Sequence, residues 1–551
     1  MALAPVALTL TLACLACTPR DGTVPAEPPT PPEVDISAMQ EPVAAAIEAA
    51  RGKVLEQPGA AEPWGRLGRI FHAHGLHPQA VACYLEAHQR APEDYRWPYL
   101  AAMAQQKLDL SAARELFETA ARQAPRNPAF YIHYGDLLMN RGEPAEAERR
   151  YRTALEQAPR SSHALHGLAR IEMLRGDVDA ARTHLETAVE AAPSHGEAHT
   201  LLAQIYHRQG EEEKARQAEL RGRIHADASR AEDPVLDAME AEGVGARAHE
   251  RRGLWLARAG RWAEAEREFR RVLQIRSGNV RDYANLGGAL ARQGEHRKAL
   301  EVYEEALRLQ PGEPSTLNNL ATTRMALGEL DRATELLEQV LEGDPRNAGA
   351  RYNLGLVRFR QGRLSEAEAL YREALRLDPT LLPAYADLGN VLAMQGRLSE
   401  AVTTWRRSLS LDSRQVPVLY NLAAVQAQRG EHEAAIESLR QGLRLAPDAS
   451  RLVSLLAWEL ATAPEPGLRD GAEARRLAER VVAASPRPEA LDVWAAALAE
   501  EGSFEAAGQA ARRALELAES AGNARLAQEI RHRLELYSRG RPYRQTLAPR
   551  G

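Results

Sequence analysis

The sequence predicts an all-α fold, an α-solenoid of about thirteen helix-turn-helix units set in two arrays, and three observations carry that expectation. The first is composition: 44% hydrophobic residues with only 5% aromatics, and Ala, Leu, Glu and Arg in nearly every segment, favours helices over sheets. The second is a period. Prolines recur at Pro92, Pro125, Pro159 and Pro193, and again at Pro311, Pro345 and Pro379, at spacings of 33 or 34 residues. The third is that the same residue types return within each period: Trp64, Leu67, Gly68, Phe71, Gly75, Ala80, Tyr84, Ala87 and Pro92 stand at repeat positions 4, 7, 8, 11, 15, 20, 24, 27 and 32.

These positions have a physical logic. Positions 4, 7 and 11 form one stripe of a first helix and 24 and 27 one stripe of a second, so the two can pack antiparallel. Small residues at 8 and 20 let the backbones approach, Gly at 15 turns the chain, and Pro at 32 stops the second helix. One hairpin cannot bury its apolar face alone, so neighbours must stack. The 34-residue length and the filled positions resemble the tetratricopeptide-repeat family. That resemblance implies a superhelical stack whose inner face is lined by the first helix of each unit, at positions such as 2, 5, 6, 9 and 12, and which binds proteins or peptides.

The elements follow in order. Residues 1–17 form an apolar leader, too short to span a bilayer comfortably, ending in Leu15-Ala16-Cys17-Thr18. This ending resembles the lipobox of bacterial lipoproteins, although Cys14 replaces an aliphatic three positions before Cys17 and no Lys or Arg precedes the apolar run. The resemblance implies acylation of Cys17, with Cys14 as a second candidate; a plain secretory signal, or none, is the alternative. Residues 18–36 hold Pro25, Pro28, Pro29, Pro31 and Pro32, the composition of an extended tether. The expected location is therefore the bacterial envelope, as an outer-membrane lipoprotein facing the periplasm, or the cytoplasm if the leader is no signal.

An amphipathic helix is expected within residues 37–60 as an N-terminal cap, then hairpins starting near residues 61, 94, 128, 162 and 196, the first array, over 61–221. The template lapses over 222–245, which reads as a joint between arrays or as a degenerate repeat that keeps the solenoid continuous. Hairpins resume near 246, 280, 314, 348, 382 and 416, the second array, over 246–449. Residues 450–537 hold stretched units and a closing helix, and 538–551 a basic tail. The run from Leu456-Ala457-Trp458 through Arg469-Asp470-Gly471 to Arg541-Pro542-Tyr543-Arg544 resembles the closing module of many bacterial tetratricopeptide proteins.

No constellation of catalytic residues emerges. The chain has no Walker loop, no GxGxxG after a strand, no GxSxG elbow, no CxxCH and no paired-cysteine zinc motif. His72, His74 and His77 cluster in sequence, but 72 and 74 face different ways on a helix and the turn at Gly75 intervenes. Cys83, beside Tyr84 on the packing stripe, reads as an inert buried thiol. A charge of −6, from 70 basic and 76 acidic residues, gives no global field toward nucleic acid or anionic lipid. The expectation is a non-enzymatic scaffold with no cofactor, no metal, no nucleic acid and no small-molecule substrate.

The candidate ligand site is the inner face of the second array. Position 6 carries Asn285, Asn319, Asn353, Asp387 and Asn421 in successive repeats. This resembles the asparagine ladder in the repeats of the O-linked N-acetylglucosamine transferases, which implies a grip on extended peptide backbone: an amide offers a donor and an acceptor together. Local hydrogen bonding by the same amides is the alternative. Tyr352, Tyr420, Asn390 and Phe359 share the face. The first array carries Arg66, Tyr99, His133, Gly167 and Leu201 at position 6, so it binds differently or serves as a spacer. A structural organiser of an envelope or polysaccharide-export complex, acting through its outer faces, is the alternative function.

Overall fold

The structure, a computed structural model, describes residues 29–226 and 231–545. The leader with Cys14 and Cys17, and the end of the tail, lie outside the described residues. Those residues contain 29 α-helices and no strand. In chain order they are α1 (Glu41–Glu56), then the hairpins α2 (Ala61–Ala73) with α3 (His77–Arg90), α4 (Arg96–Gln105) with α5 (Leu110–Ala121), α6 (Pro128–Asn140) with α7 (Pro144–Gln157), α8 (Ser162–Arg175) with α9 (Val178–Ala191), and α10 (Gly196–Arg208) with α11 (Glu212–Ile224). A lone short helix, α12 (Pro234–Ala241), comes next. Hairpins then resume with α13 (Ala246–Arg258) and α14 (Trp262–Ile275), α15 (Val280–Arg292) and α16 (His296–Leu309), α17 (Pro314–Ala326) and α18 (Leu330–Gly343), and α19 (Ala348–Arg360) and α20 (Leu364–Leu377). They continue with α21 (Leu382–Met394) and α22 (Leu398–Leu411), α23 (Val416–Gln428) and α24 (His432–Leu445), α25 (Ser450–Thr462) and α26 (Gly471–Ala484), and α27 (Pro488–Glu500) and α28 (Phe504–Ser520), before the closing α29 (Ala524–Ser538). Thirteen hairpins thus account for all helices but α1, α12 and α29.

The hairpin geometry follows from the repeat positions. A Cβ added to Gly389 would stand 2.3 Å from Trp405 Nε1, so only glycine lets α21 and α22 close on that buried ring, whose N–H donates to Ala386 O at 3.1 Å. Tyr151 shows the same device twice: its ring lies under Gly135 of its own hairpin and Gly167 of the next, at 2.6 and 2.5 Å from where a Cβ would be. Gly389→Val should therefore cost about 1–3 kcal/mol by overpacking, read as a lower urea midpoint. Prolines end the second helices through the residue before them. Ala158, Ala192, Asp344 and Asp378 all leave the helical region with φ between −132° and −138° ahead of Pro159, Pro193, Pro345 and Pro379.

The chain divides into two compact units. The first runs to Pro125 and takes back Pro234–Val244; the second holds Arg126–Asp233 and Gly245 onward. This division differs from the two arrays read from sequence, because the stretch expected as a joint returns its helix to the first unit. There α12 packs against α2 and α4, beside the stack of α1 to α5, with Val235, Leu236 and Met239 buried.

The second unit is built of successive hairpins packed from α6 to α11 and from α13 to α29. Its core is a chain of local clusters; one joins Tyr371, Leu388, Trp405, Val418 and Leu422 across three hairpins. The two runs meet where α11 packs on α22: Arg221 donates to Ser410 O at 2.6 Å, and Arg407 pairs with Glu213 at 3.0 Å. Residues 541–545 fold back on α25. Gln545 N–H donates to Thr462 O at 2.9 Å, its side chain donates to Glu459 Oε1 at 3.1 Å, and Tyr543 lies 5.7 Å from the Trp458 ring.

Candidate functional site

The first helices α15, α17, α19, α21 and α23 carry the expected ladder, and the structure divides it into groups. Asn353 Nδ2 donates to Asn318 Oδ1 of the preceding repeat at 2.9 Å. One repeat on, Tyr352 donates its hydroxyl to Asp387 Oδ2 at 2.7 Å, Asn390 donates to Asp387 Oδ1 at 3.4 Å, and Asn421 donates to Asn390 Oδ1 at 2.9 Å. The amides bond across the seam between neighbouring repeats, where each first helix presents position 6 beside position 5 or 9 of the one before. Asn285 and Asn319 make no side-chain hydrogen bond among the described residues; the Asn319 carbonyl takes the Thr322 and Thr323 hydroxyls at 2.8 and 2.9 Å. The site is thus a polar seam with two open amides at its N-terminal end.

Its walls are apolar. Tyr352 and Phe359 are half-buried against the Trp405 cluster, and Tyr420 against the next, with the Arg451 guanidinium 5.6 Å from the Tyr420 ring centre. Asn353 is buried, at 7% exposure, so its remaining hydrogen-bonding capacity is met from the groove only at its edge. Burial raises the Asp387 carboxyl above its ordinary pKa despite the donors from Tyr352 and Asn390. Sequence reading missed Asn318 and Arg451. Asn318 stands at position 5, an inner-face position whose offset from the next repeat's position 6 was the available signal.

The first repeats use the same positions differently. Arg66 and Arg69, at positions 6 and 9, reach Glu242 at 3.4 and 3.5 Å, and His74 Nε2 accepts from the Val244 N–H at 3.3 Å. The chain's own residues 234–244 therefore lie on the face formed by α2 and α4. Within the second unit, fully buried Asp233 accepts from Asn127 Nδ2 at 3.1 Å, with His133 Nε2 3.9 Å away. A lapse in the repeat template gave no hint that this stretch returns to position 6 side chains.

The sequence also singled out Cys83 and the cluster of His72, His74 and His77. Cys83 is fully buried, and desolvation pushes its thiol far above the ordinary value. His72 is pushed down to about 4 chiefly by burial, its ring 5.5 Å from that of His77. Among the described residues no helix is long and apolar enough to cross a membrane.

Three family models match the sequence: the cilia and flagella-associated protein 70 C-terminal domain over residues 223–455, and two tetratricopeptide-repeat models over 102–171 and 166–231. No curated protein matches it. Among solved structures the chain is similar to the Cut9–Hcn1 hetero-tetramer of the APC/C, at 17% identity over 77% of this chain and 94% of that one, with a TM-score of 0.36. It is also similar to a thermophilic tetratricopeptide-repeat protein of Thermus thermophilus, at 26% identity over 33% of this chain and 98% of that one, with a TM-score of 0.30. A third is MamA, at 22% identity over 30% and 97%, with a TM-score of 0.27.

Proposed function

We propose, for a chain that belongs to the tetratricopeptide-repeat proteins, the role of a non-enzymatic scaffold that holds an extended segment of a protein partner along the inner face of α15 to α23. The observation that supports this most is the recurrence of polar side chains at one position: Asn319, Asn353, Asp387 and Asn421 come from four consecutive first helices, with Tyr352, Phe359 and Tyr420 beside them. An extended backbone carries donors and acceptors at short regular intervals, and side-chain amides answer both without reading sequence. Selectivity would then come from the aromatic contacts.

The test is binding of extended peptides from a degenerate array to the full chain and to a variant with Asn319, Asn353 and Asn421 all changed to alanine. Three lost hydrogen bonds should weaken binding by about 30-fold or more, with the helical circular dichroism unchanged. Equal binding by both proteins would remove the groove from consideration and favour a role through the outer faces.

The same proposal puts the scaffold in the bacterial envelope, tethered by residues 18–36 to a lipid on Cys17, or on Cys14. It rests on the leader and the proline-rich stretch alone. Mass spectrometry of the mature N-terminus should find an acylated cysteine that disappears in Cys17→Ala; an intact, unmodified leader would sink the anchor while leaving the groove proposal standing.

A further inference from the structure

Histidines and a carboxylate gather on the inner face of the hairpins α8/α9 and α10/α11, away from the seam described above. His166 stands on α8 at repeat position 5, Glu197 on α10 at position 2, and His195 immediately before α10. Position 2 of the earlier hairpin adds His163, whose ring centre is 4.4 Å from that of His195. No sequence motif marks them, because the two helices that supply them are a full repeat apart.

His195 forms the floor. It is 1% exposed, its Nδ1 shares a short hydrogen bond with the Ser162 hydroxyl, itself buried, and its Nε2 is buried with no hydrogen-bond partner. A buried ring nitrogen with no protein partner is open to a ligand. The His166 ring stands edge-on to it at 5.2 Å between centres, and His166 Nδ1 is 3.9 Å from Glu197 Oε2. One ligand atom from each of His166, His195 and Glu197 lies within 4.8 Å of the other two.

Two imidazoles and a carboxylate make a donor set suited to zinc, with three protein ligands and a fourth position left to water or an incoming group. The details fit that use. In the tautomer in which His195 donates its Nδ1–H to Ser162, the Nε2 lone pair is free, the arrangement by which outer partners orient metal-binding histidines. Glu197 is 70% exposed on its side chain, so a change of rotamer can draw its carboxylate onto an ion held by the two rings.

We propose that His166, His195 and Glu197 bind one divalent zinc ion on the inner face of these hairpins, with Ser162 as the positioning residue for His195. The experiment is calorimetric titration of zinc chloride into the full chain, carrying no histidine tag and freed of metal with a chelator, in a non-coordinating buffer at pH 7.5. One equivalent should bind, about 10-fold or more weaker in each of His166→Gln and Glu197→Gln. His72→Gln, at the histidine cluster of the first repeat, should leave the affinity unchanged. His195→Gln changes a fully buried ring, so its loss of binding counts only with an unchanged circular dichroism spectrum, and His166→Gln and Glu197→Gln, at less buried side chains, carry the test without it. The absence of saturable binding, or an affinity that responds to His72→Gln and ignores both ligand variants, overturns the site.

Discussion

Arg533→Ala should destabilise the C-terminal end by about 3–5 kcal/mol, the cost of leaving a buried charge without its partner. Arg533 and Asp492 are each almost fully buried and meet through two hydrogen bonds, Nε to Oδ1 at 2.9 Å and Nη2 to Oδ2 at 2.7 Å. The guanidinium also packs against both the Trp458 and Tyr543 rings, 5.2 and 5.5 Å from their centres, so one side chain ties α27, α29, α25 and the returning residues 541–545. Desolvation already raises the Asp492 carboxyl, with the coulombic pull and hydrogen bonds of Arg533 opposing it. In the alanine variant Asp492 must protonate or drag water into the closing hairpin.

Because a repeat stack is coupled mainly to its nearest neighbours, the damage should stay local. Hydrogen exchange should show α27 to α29 opening first while α15 to α22 keep their protection. A double variant, Arg533→Met with Asp492→Leu, should regain most of the loss, since a buried pair replaced by apolar groups of similar size is often neutral or better. If Arg533→Ala and wild type show the same urea midpoint and the same exchange in α29, the closing pair does not hold the end of the stack.

Arg533 also illustrates how far the sequence could be read. The repeat period fixed each hairpin because its determinants are local: Gly389 opposite Trp405 and the pre-proline turn at Asp378 are both set within one repeat. Contacts between elements far apart in the chain leave no such trace. The docking of α11 on α22 joins Arg221 to Ser410 across 189 residues, and nothing in either repeat departs from ordinary polar surface. The seam stands between these cases. Its positions were legible, since Asn353 and Asn421 recur at position 6, yet five like rungs were expected and the structure couples them unequally. Which neighbour an amide meets depends on whether position 5 or 9 of the adjacent repeat is Asn318, Tyr352 or Asn390, a property of pairs of repeats that a single-repeat template cannot hold.

Release of α12 is the second large effect expected. The helix has eight residues, well short of the length at which an isolated helix is stable in water, so its order depends on what it packs against. Val235, Leu236 and Met239 are the buried side chains, each contributing about 1.5–3 kcal/mol by burial. Changing both Leu236 and Met239 to Asp should remove about 3–6 kcal/mol and add the cost of burying carboxylates, which α12 avoids by melting. Amides of residues 235–241 should then exchange about 100-fold faster or more, with those of α19 to α24 unchanged.

Glu242→Gln supplies the contrast. It removes the pairs to Arg66 and Arg69 but no apolar anchor, and partly exposed pairs of this kind are worth about 0–1 kcal/mol, so exchange should rise less than about 10-fold. If the charge variant frees the segment and the double apolar variant does not, residues 234–244 are held on α2 and α4 by charge. The face bearing Arg66, Arg69 and His74 would then select acidic segments, and its occupant from the same chain would be one such segment.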